Sequence, residues 1–370
     1  MKDLYQFILK DLQVLSQIQK NERDFILYLQ SLQNEVKNLR QSYRTNSVSV
    51  DYSRAEVQAA YLITYYPQYA EMTRHILEKI NTSHHNLFLF EQKHLKVCLF
   101  GAGAAPEAIG LASFLAEYYP KVQSLEITVY DIFSDTWKIG QNITKNIIPK
   151  LWQGQFSFST EQIDFCQAGS FFSLENVLNN SQIFVFQNCL NELDNFDSFN
   201  LNIRYLLSKM PNNSLLMMVD LYNYQRIENF KIEIKQLLQE LDFQNQILCL
   251  RSAEMIEFKT EIVIPAIITQ HLLIGTPRDI NQKNENRFLV PKKNMRCNFL
   301  SVYKTYKHEV IKQILEQLDH KFKILQANGN LQQQERYNLL QQIKILRIAL
   351  IVVSAIAFIS LVLSTIALRR

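Results

Sequence analysis

The stretch "LKVCLFGAGAAPEAIGLASFL", residues 95–115, decides the fold of this 370-residue chain. A short run of apolar, β-forming residues leads into Gly101 and Gly103, and a helix-like segment follows from Pro106. Glycine lets a ligand approach the backbone closely, and proline suits the first helical turn, where its missing N–H costs nothing. The stretch therefore predicts a strand, a tight turn and a helix whose free N–H groups hold a nucleotide. A tight turn without any ligand is the alternative.

Similar apolar runs recur downstream and alternate with helical stretches, which is typical of a parallel sheet covered by helices on both faces. The last two runs are separated by a short segment that includes Pro265, which favours an antiparallel pair over another crossover. The sequence thus predicts an α/β fold with a seven-stranded, mostly parallel, doubly wound sheet whose last strand is reversed. The predicted strands are 95–100, 125–131, 163–168, 182–188, 215–221, 246–251 and 266–275.

The second predicted strand ends at Asp131, beside the glycine turn, at the edge where open α/β sheets bind their ligands. A carboxylate at this position accepts hydrogen bonds from both hydroxyls of a ribose. The dinucleotide fingerprint G-x-G-x-x-G requires its third glycine at position 106, where this chain has Pro106. This difference argues against NAD(P), so an NAD(P)-dependent oxidoreductase is kept as the third hypothesis.

Residues 95–275 resemble the class I S-adenosylmethionine-dependent methyltransferases, which share the glycine-rich turn and a seven-stranded sheet with a reversed last strand. The resemblance implies S-adenosylmethionine as cofactor and an unidentified methyl acceptor as partner. It also implies the position of each cofactor-binding residue: Gly101, Ala102 and Gly103 at the methionine part, Asp131 at the ribose, Gln167 and Ala168 near the adenine, and Asn188 beside the cofactor.

Two positions depart from the family pattern. Many members carry an acid where this chain has Leu99, and a third glycine where it has Ala105; Glu107 is the candidate replacement for the missing acid. Asn191 and Glu192 are the candidates for contacting the acceptor, although a helix cap with a dipole-favoured acid explains them equally well. The leading hypothesis is a membrane-tethered methyltransferase. The alternative is a catalytically inactive, methyltransferase-like, membrane-tethered interaction protein.

Composition excludes several other classes of protein. The five cysteines are scattered, without a C-x-x-C pair, which indicates reduced thiols. The histidines and cysteines lack the spacing of metal ligands, so no metal is expected. A net charge of +4 without a block of like charges does not indicate nucleic acid as a partner.

The segment 348–368, "IALIVVSAIAFISLVLSTIAL", contains no charge, proline or glycine. As a helix at ~1.5 Å per residue it spans roughly 30 Å, the thickness of a bilayer core. Lys344 and Arg347 precede it, and Arg369 and Arg370 follow it, so the positive-inside rule assigns no orientation. With no N-terminal signal peptide in the sequence, we expect a globular domain on the cytoplasmic side, held by a C-terminal single-pass anchor.

The predicted organisation has five parts: a helical N-terminal region (1–90), a Rossmann-like methyltransferase domain (91–276), a linker (277–300), a helical stalk (301–346) and a transmembrane helix (347–368). Apolar stripes at 18–39 and 311–325 are each either half of a coiled coil, which would permit self-association, or a helix lying on the domain; their length favours the second. The tyrosines at 61, 65 and 66 line a cleft or belong to the core, and the pattern favours the core. The region 51–80 is expected to cover the pocket.

Overall fold

A computed structural model describes residues 1–15, 21–43, 50–84, 88–221, parts of 227–238, 247–272, 294–305, 341–345 and 347–348. The chain divides into two compact units. The first comprises residues 1–237 and 250–303 and contains the site described below. The second comprises residues 238–249 and 304–370, in which residues 341–345 and 347–348 are helical.

Seven strands form one sheet in the order β3-β2-β1-β4-β5-β7-β6. The first five in this order pair in parallel, and the whole sheet is mostly parallel with one reversed strand, which confirms the predicted fold class. Every residue of the central β5 is buried, as expected for a strand covered on both faces. The strands are β1 His94–Phe100, β2 Ser124–Asp131, β3 Gln155–Gln162, β4 Ile183–Gln187, β5 Ser214–Leu221, β6 Ile247–Lys259 and β7 Asn294–Thr305.

Two of the predicted strands are wrong. Residues 163–168 form a turn after β3, which is an edge strand that alternates phenylalanine with polar residues instead of a continuous apolar run. Residues 266–272 are helical, because the chain turns into a short helix directly after Pro265. The seventh strand is instead Asn294–Thr305, which overlaps the end of the predicted linker (277–300) and the start of the predicted stalk (301–346).

Nine α-helices have both ends within the described residues. The first five form the helical N-terminal region, and α5 packs closely on α6. A Cβ on Gly110 of α6 would lie only 2.3 Å from the carbonyl oxygen of Ala70 in α5, so glycine permits this packing. The helices are α1 Leu4–Leu15, α2 Glu22–Ser31, α3 Gln33–Ser42, α4 Ala55–Thr64, α5 Tyr66–His84, α6 Pro106–Tyr118, α7 Lys138–Leu151, α8 Glu175–Asn180 and α9 Phe196–Lys209.

The strand register brings the loops after β1, β2 and β4 to one edge of the sheet. Phe100, the last residue of β1, pairs with Tyr130 of β2 and with Phe186 of β4. The rings of Phe100 and Phe186 stack with centroids 4.6 Å apart, in the centre of the core. Because the carboxyl ends of these strands are level, the residues that follow them meet.

The apolar stripe predicted at 18–39 belongs to two helices that separate at Leu32. Its described members, Phe25, Leu29, Leu32, Val36 and Leu39, are all buried, as expected for helices lying on the domain. The stripe at 311–325 and nearly all of the predicted span at 348–368 lie outside the described residues. Among the residues that are described, no helix has both the length and the apolar character needed to cross a bilayer.

Candidate cofactor and acceptor site

The glycine turn, residues 101–105, connects β1 to α6 through left-handed backbone. Gly101 and Gly103 have φ angles of +61° and +50°, and Ala105 has a φ of +59°. The turn is tied to β2 because the Gly101 N–H donates to the carbonyl oxygen of Tyr130 at 2.7 Å. Glycine suits this conformation, whereas Ala105 adopts it at a steric cost, at the position where the family pattern has a third glycine.

Side chains of the protein itself occupy the space above the two glycines. A Cβ on Gly101 would lie 2.7 Å from the Cβ of Cys189, and a Cβ on Gly103 would lie 2.7 Å from Cε2 of Trp137. The Cys189 thiol is buried, and burial raises its pKa well above the ordinary value, so it is a packing group. Packing against Cys189 and Trp137 is therefore enough to explain why both positions are glycine.

Asp131 bonds to the glycine turn, as its place at the end of β2 predicts. The Gly103 N–H donates to Oδ2 at 3.0 Å and the Phe133 N–H donates to Oδ1 at 2.8 Å. Burial raises the pKa of the Asp131 carboxyl, and the two backbone donors oppose that shift. Each carboxylate oxygen keeps a further lone pair, so Asp131 retains acceptor capacity for a ligand.

Gln167 and Ala168 lie on the loop that follows β3, and both are exposed. Gln167 lines an open recess of about 500 Å³ together with Ile132, Asp164 and Ser170. We call it the strand-three recess. The recess adjoins Asp131 through Ile132, and neither Ile132 nor Asp164 was among the predicted residues.

One buried asparagine from α9 fixes the loop around the strand-three recess. Asn202 accepts the Gly169 N–H at 3.0 Å and donates to the carbonyl oxygens of Phe165 at 3.1 Å and Gln167 at 2.9 Å. It also donates to the Ser170 hydroxyl at 3.0 Å. Sequence reasoning missed Asn202, because its partners lie more than thirty residues away in the chain.

The strand-four loop, residues 188–193, carries two buried amides with unsatisfied oxygens. Asn188 has a φ of +57°, and its Nδ2 lies 3.9 Å from the sulfur of Met72. The Nδ2 of Asn191 donates to Oδ1 of Asp220 at 2.9 Å. Within the described part of the chain, the Oδ1 atoms of Asn188 and Asn191 have no hydrogen-bond partner. Buried acceptors of this kind are suited to a ligand that donates hydrogen bonds.

Glu192, in the same loop, has an exposed side chain. Solvent reaches its side chain, yet the surrounding protein desolvates it enough to raise the pKa of its carboxyl to about 8. The negative charges of Asp131 and Asp220 raise this pKa further. Glu192 therefore changes its charge near neutral pH, as a proton-transferring group does.

Glu107, in the first turn of α6, is a second acid with a strongly perturbed charge. Its side chain is 2% exposed, and burial raises the pKa of its carboxyl to about 8, with a smaller contribution from the charge of Asp131. No partner for its Oε2 lies among the described residues. Leu99, where many family members carry an acid, is buried in β1. Glu107 thus supplies a hydrogen-bond acceptor near the turn, which the apolar side chain of Leu99 cannot do.

Aromatic residues from the N-terminal helices cover this edge of the sheet. We call them the tyrosine roof: Tyr43, Tyr52, Tyr61, Tyr65 and Tyr69. The rings of Tyr52 and Tyr61 lie 4.7 Å and 5.2 Å from that of Trp137, which in turn covers Gly103. As predicted, the region 51–80 lies over the turn. Tyr61, Tyr65 and Tyr66 are buried, as the core interpretation required.

Metal ligands do not cluster in the described part of the chain, where no group of three His, Cys, Asp or Glu side chains could hold an ion. The structure brings together Gly101, Gly103 and Asp131 through direct contacts, and Asn188, Asn191 and Glu192 on the neighbouring loop. Gln167 and Ala168 lie on the third loop of the same edge.

No family model matches this sequence, and a search of the curated proteins finds no match. Among solved structures, the chain is similar to a putative class I S-adenosylmethionine-dependent methyltransferase from Listeria monocytogenes, with 12% identity and a TM-score of 0.33. That match covers 83% of this chain and 90% of the other.

Two further structures have comparable scores. A S-adenosylmethionine-dependent methyltransferase from Methanosarcina mazei is 10% identical, with a TM-score of 0.32 and coverage of 58% of this chain and 95% of the other. The N-methyltransferase NodS from Bradyrhizobium japonicum is 13% identical, with a TM-score of 0.30 and coverage of 62% and 96%. All three of these solved structures are described as methyltransferases.

Proposed function

We propose that this protein binds S-adenosylmethionine at the edge formed by the glycine turn and the strand-four loop, and transfers its methyl group to an acceptor. The observation that carries the proposal is the bond between the Asp131 carboxylate and the glycine turn at the point where β2 and β4 diverge on either side of β1. Ligands of open α/β sheets bind at this switch point.

The residues present fit the cofactor. S-adenosylmethionine carries an ammonium group and a sulfonium centre, and the unpartnered oxygens of Glu107, Asn188 and Asn191 offer acceptors to positively charged donors. Asp131 retains lone pairs for ribose hydroxyls. Gln167 lines the strand-three recess, which has room for a flat ring system, and Ala168 follows it in the same loop. When bound, the cofactor supplies an electrophilic methyl group.

The chain contributes alignment, a closed environment and a proton acceptor. The tyrosine roof and Trp137 exclude water from the turn, because their rings are in contact. Glu192 in its ionised form takes the proton that leaves the acceptor as its nucleophilic atom becomes methylated. With a pKa of about 8, Glu192 performs this step in the fraction of molecules in which it is ionised.

Labelled methyl transfer tests this function. The full-length chain, purified in a neutral detergent, is incubated with labelled S-adenosylmethionine and extract of its native cells. We expect label in one acceptor class, at a rate that rises as the pH passes about 8. Glu192→Gln should lower the rate by about a hundredfold, the lower end of general-base contributions. Cofactor binding without transfer at any pH would contradict the proposal.

We further propose that the predicted span at 348–368 anchors the protein in a membrane as a single-pass helix, with the globular domain on the cytoplasmic side. The support is its uncharged apolar sequence. Extraction of native membranes at alkaline pH tests the anchor. The protein should remain in the membrane fraction and should be released when residues 348–368 are deleted. Release of the intact chain would contradict the anchor.

One observation favours a second candidate, a catalytically inactive interaction protein on the same scaffold. Cys189 and Trp137 occupy the space above Gly101 and Gly103, so the turn is satisfied without a ligand. Under this alternative the protein binds no S-adenosylmethionine, and Asp131 serves only to fix the turn. The transfer experiment separates the two candidates.

A further inference from the structure

We propose that Arg40 binds an anionic group, and that this group belongs to the methyl acceptor. The acceptor is then a small molecule that combines a carboxylate or phosphate with a flat apolar body. The first part stands on the structure of the N-terminal helices alone, whereas the second part rests on the proposed function.

Arg40, near the end of α3, is a buried cation, and no acidic residue in the described part of the chain forms an ion pair with it. The residue is 7% exposed, and in the described part of the chain neither Nε nor Nη2 has a hydrogen-bond partner. Its guanidinium carbon lies 5.3 Å from the centroid of the Tyr65 ring. Arginine stays charged in proteins, so the cost of burying it cannot be avoided by deprotonation.

A buried charge that lacks a partner is expensive, and proteins keep such groups where a ligand supplies the partner. The guanidinium fork matches the two oxygens of a carboxylate or phosphate and binds them with two parallel hydrogen bonds. Two unsatisfied nitrogens on the same side chain provide the donors for such a pair. The charge and the donor geometry therefore specify an oxyanion.

The tyrosine roof connects Arg40 to the proposed methyl-transfer site. The Tyr65 ring lies 4.7 Å from that of Tyr43, whose hydroxyl is hydrogen-bonded to the hydroxyl of Tyr52 at 2.5 Å. The Tyr52 ring packs at a tilt of 41° against Trp137, which covers Gly103 of the glycine turn. Burial raises the pKa values of Tyr43 and Tyr52, and the negative charge of Glu192 raises both of them further.

This arrangement indicates what the acceptor looks like. Its anionic group pairs with Arg40, its apolar body lies along the tyrosine rings, and its methylated atom reaches the edge where Glu192 takes the proton. Aromatic side chains favour flat apolar partners, with which they form offset or edge-to-face contacts. Benzoate and phenyl phosphate reproduce the carboxylate and the phosphate forms of such a ligand.

Thermal unfolding of the full-length chain in neutral detergent tests the site with these two probes, against chloride at equal ionic strength. We expect at least one probe to raise the melting temperature of the wild type, because a ligand of the native state stabilises it. Arg40→Met should abolish that rise, while its melting temperature without probe stays equal to or above that of the wild type, since an unpaired buried charge is removed. A purely structural role predicts the opposite, a lower melting temperature without probe.

Arg54→Met is the matched control. Arg54 is an exposed arginine that pairs with Glu35 at 2.7 Å, so its variant should retain the response to the probes. If Arg40→Met fails to fold, Arg40→Lys keeps the charge but loses the fork. We expect it to bind the probe about tenfold more weakly or worse, since charge-assisted hydrogen bonds are lost.

The outcomes separate this inference from the proposed function. Absence of a response to both probes in the wild type, or an equal response in Arg40→Met, overturns the anion site. A response that depends on Arg40 in a protein that does not bind S-adenosylmethionine supports the anion site and overturns only its link to methyl transfer. Binding of S-adenosylmethionine should be unchanged in Arg40→Met.

Discussion

The glycine turn and the strand-four loop lie side by side at the same edge of the sheet, yet they differ in how their polar groups are satisfied. In the turn, the N–H of Gly101 bonds to Tyr130, and that of Gly103 bonds to Asp131. In the loop, the Oδ1 atoms of Asn188 and Asn191 are buried without partners among the described residues. These hydrogen bonds fix the turn within the fold, whereas the loop keeps two buried acceptors that no described residue satisfies.

This difference separates the residues that set the backbone conformation from the residues whose polar groups are open to a ligand. The motif "GAGAA" marks the turn because only glycine tolerates its backbone and its close neighbours. The neighbouring loop and Glu107 carry the groups whose charge or bonding a ligand would change. Variants of the turn should therefore act mainly on stability, and variants of the loop mainly on binding and transfer.

Replacing Gly103 should have the largest effect on stability. Gly103→Ala forces a side chain into left-handed backbone, at roughly 1–2 kcal/mol, and into contact with Trp137, at roughly 1–3 kcal/mol of overpacking. We expect the free energy of unfolding to fall by about 2–5 kcal/mol, measured by chemical denaturation. The exposed Ala168→Gly is the control and should change it by less than about 1 kcal/mol. A loss below about 1 kcal/mol in Gly103→Ala would show that the turn yields to accommodate a ligand.

Asn202→Ala should have the next largest effect, because one side chain fixes three backbone groups of the loop at the strand-three recess. Removing its hydrogen bonds should lower the free energy of unfolding by about 2–3 kcal/mol. Asn180→Ala, which removes an exposed asparagine from α8, should cost less than about 1 kcal/mol. Equal effects of the two variants would mean that the recess does not depend on Asn202.

Glu107 should make the stability of the fold depend on pH, in a direction that its raised pKa determines. Its pKa rises from 4.5 in the unfolded chain to about 8 in the fold, so the folded state holds the proton longer. The free energy of unfolding should therefore fall as the pH rises from about 4.5 to about 8, by up to about 1.4 kcal/mol per pH unit. Urea unfolding at several pH values across this range should show that the free energy of unfolding depends less steeply on pH in Glu107→Gln than in the wild type. Glu126→Gln, at an exposed glutamate, is the control. An unchanged pH dependence in Glu107→Gln would mean that a partner in the fold stabilises the ionised carboxylate of Glu107.

The sequence predicted the sheet well where local signals are strong. β1, β2, β4 and β5 are apolar runs bounded by turn residues, and they lie within one residue of the predicted bounds. The edge strand β3 was missed, because six of its eight residues are exposed and its apolar content is low. Residues 266–275 were predicted as a strand from their β-branched composition, but Pro265 starts a helical segment there.

The site was predictable only in part. Asp131 and the two glycines were found because they occupy fixed positions at strand ends. Trp137 and Arg40 were not, because a tryptophan between two elements and an arginine within an amphipathic helix have no special pattern in one sequence. Their importance comes from contacts with residues that are distant in the chain, such as Gly103 and Tyr65.

Isothermal titration of the full-length chain with S-adenosylmethionine tests the central claim most directly. We predict that the wild type binds, that Asp131→Asn, which keeps the shape of the side chain, binds about tenfold more weakly or worse, and that Asp135→Asn, an exposed neighbour paired with Lys138, binds like the wild type. A wild-type protein that binds no S-adenosylmethionine, or that binds it as tightly after Asp131→Asn, would contradict the claim.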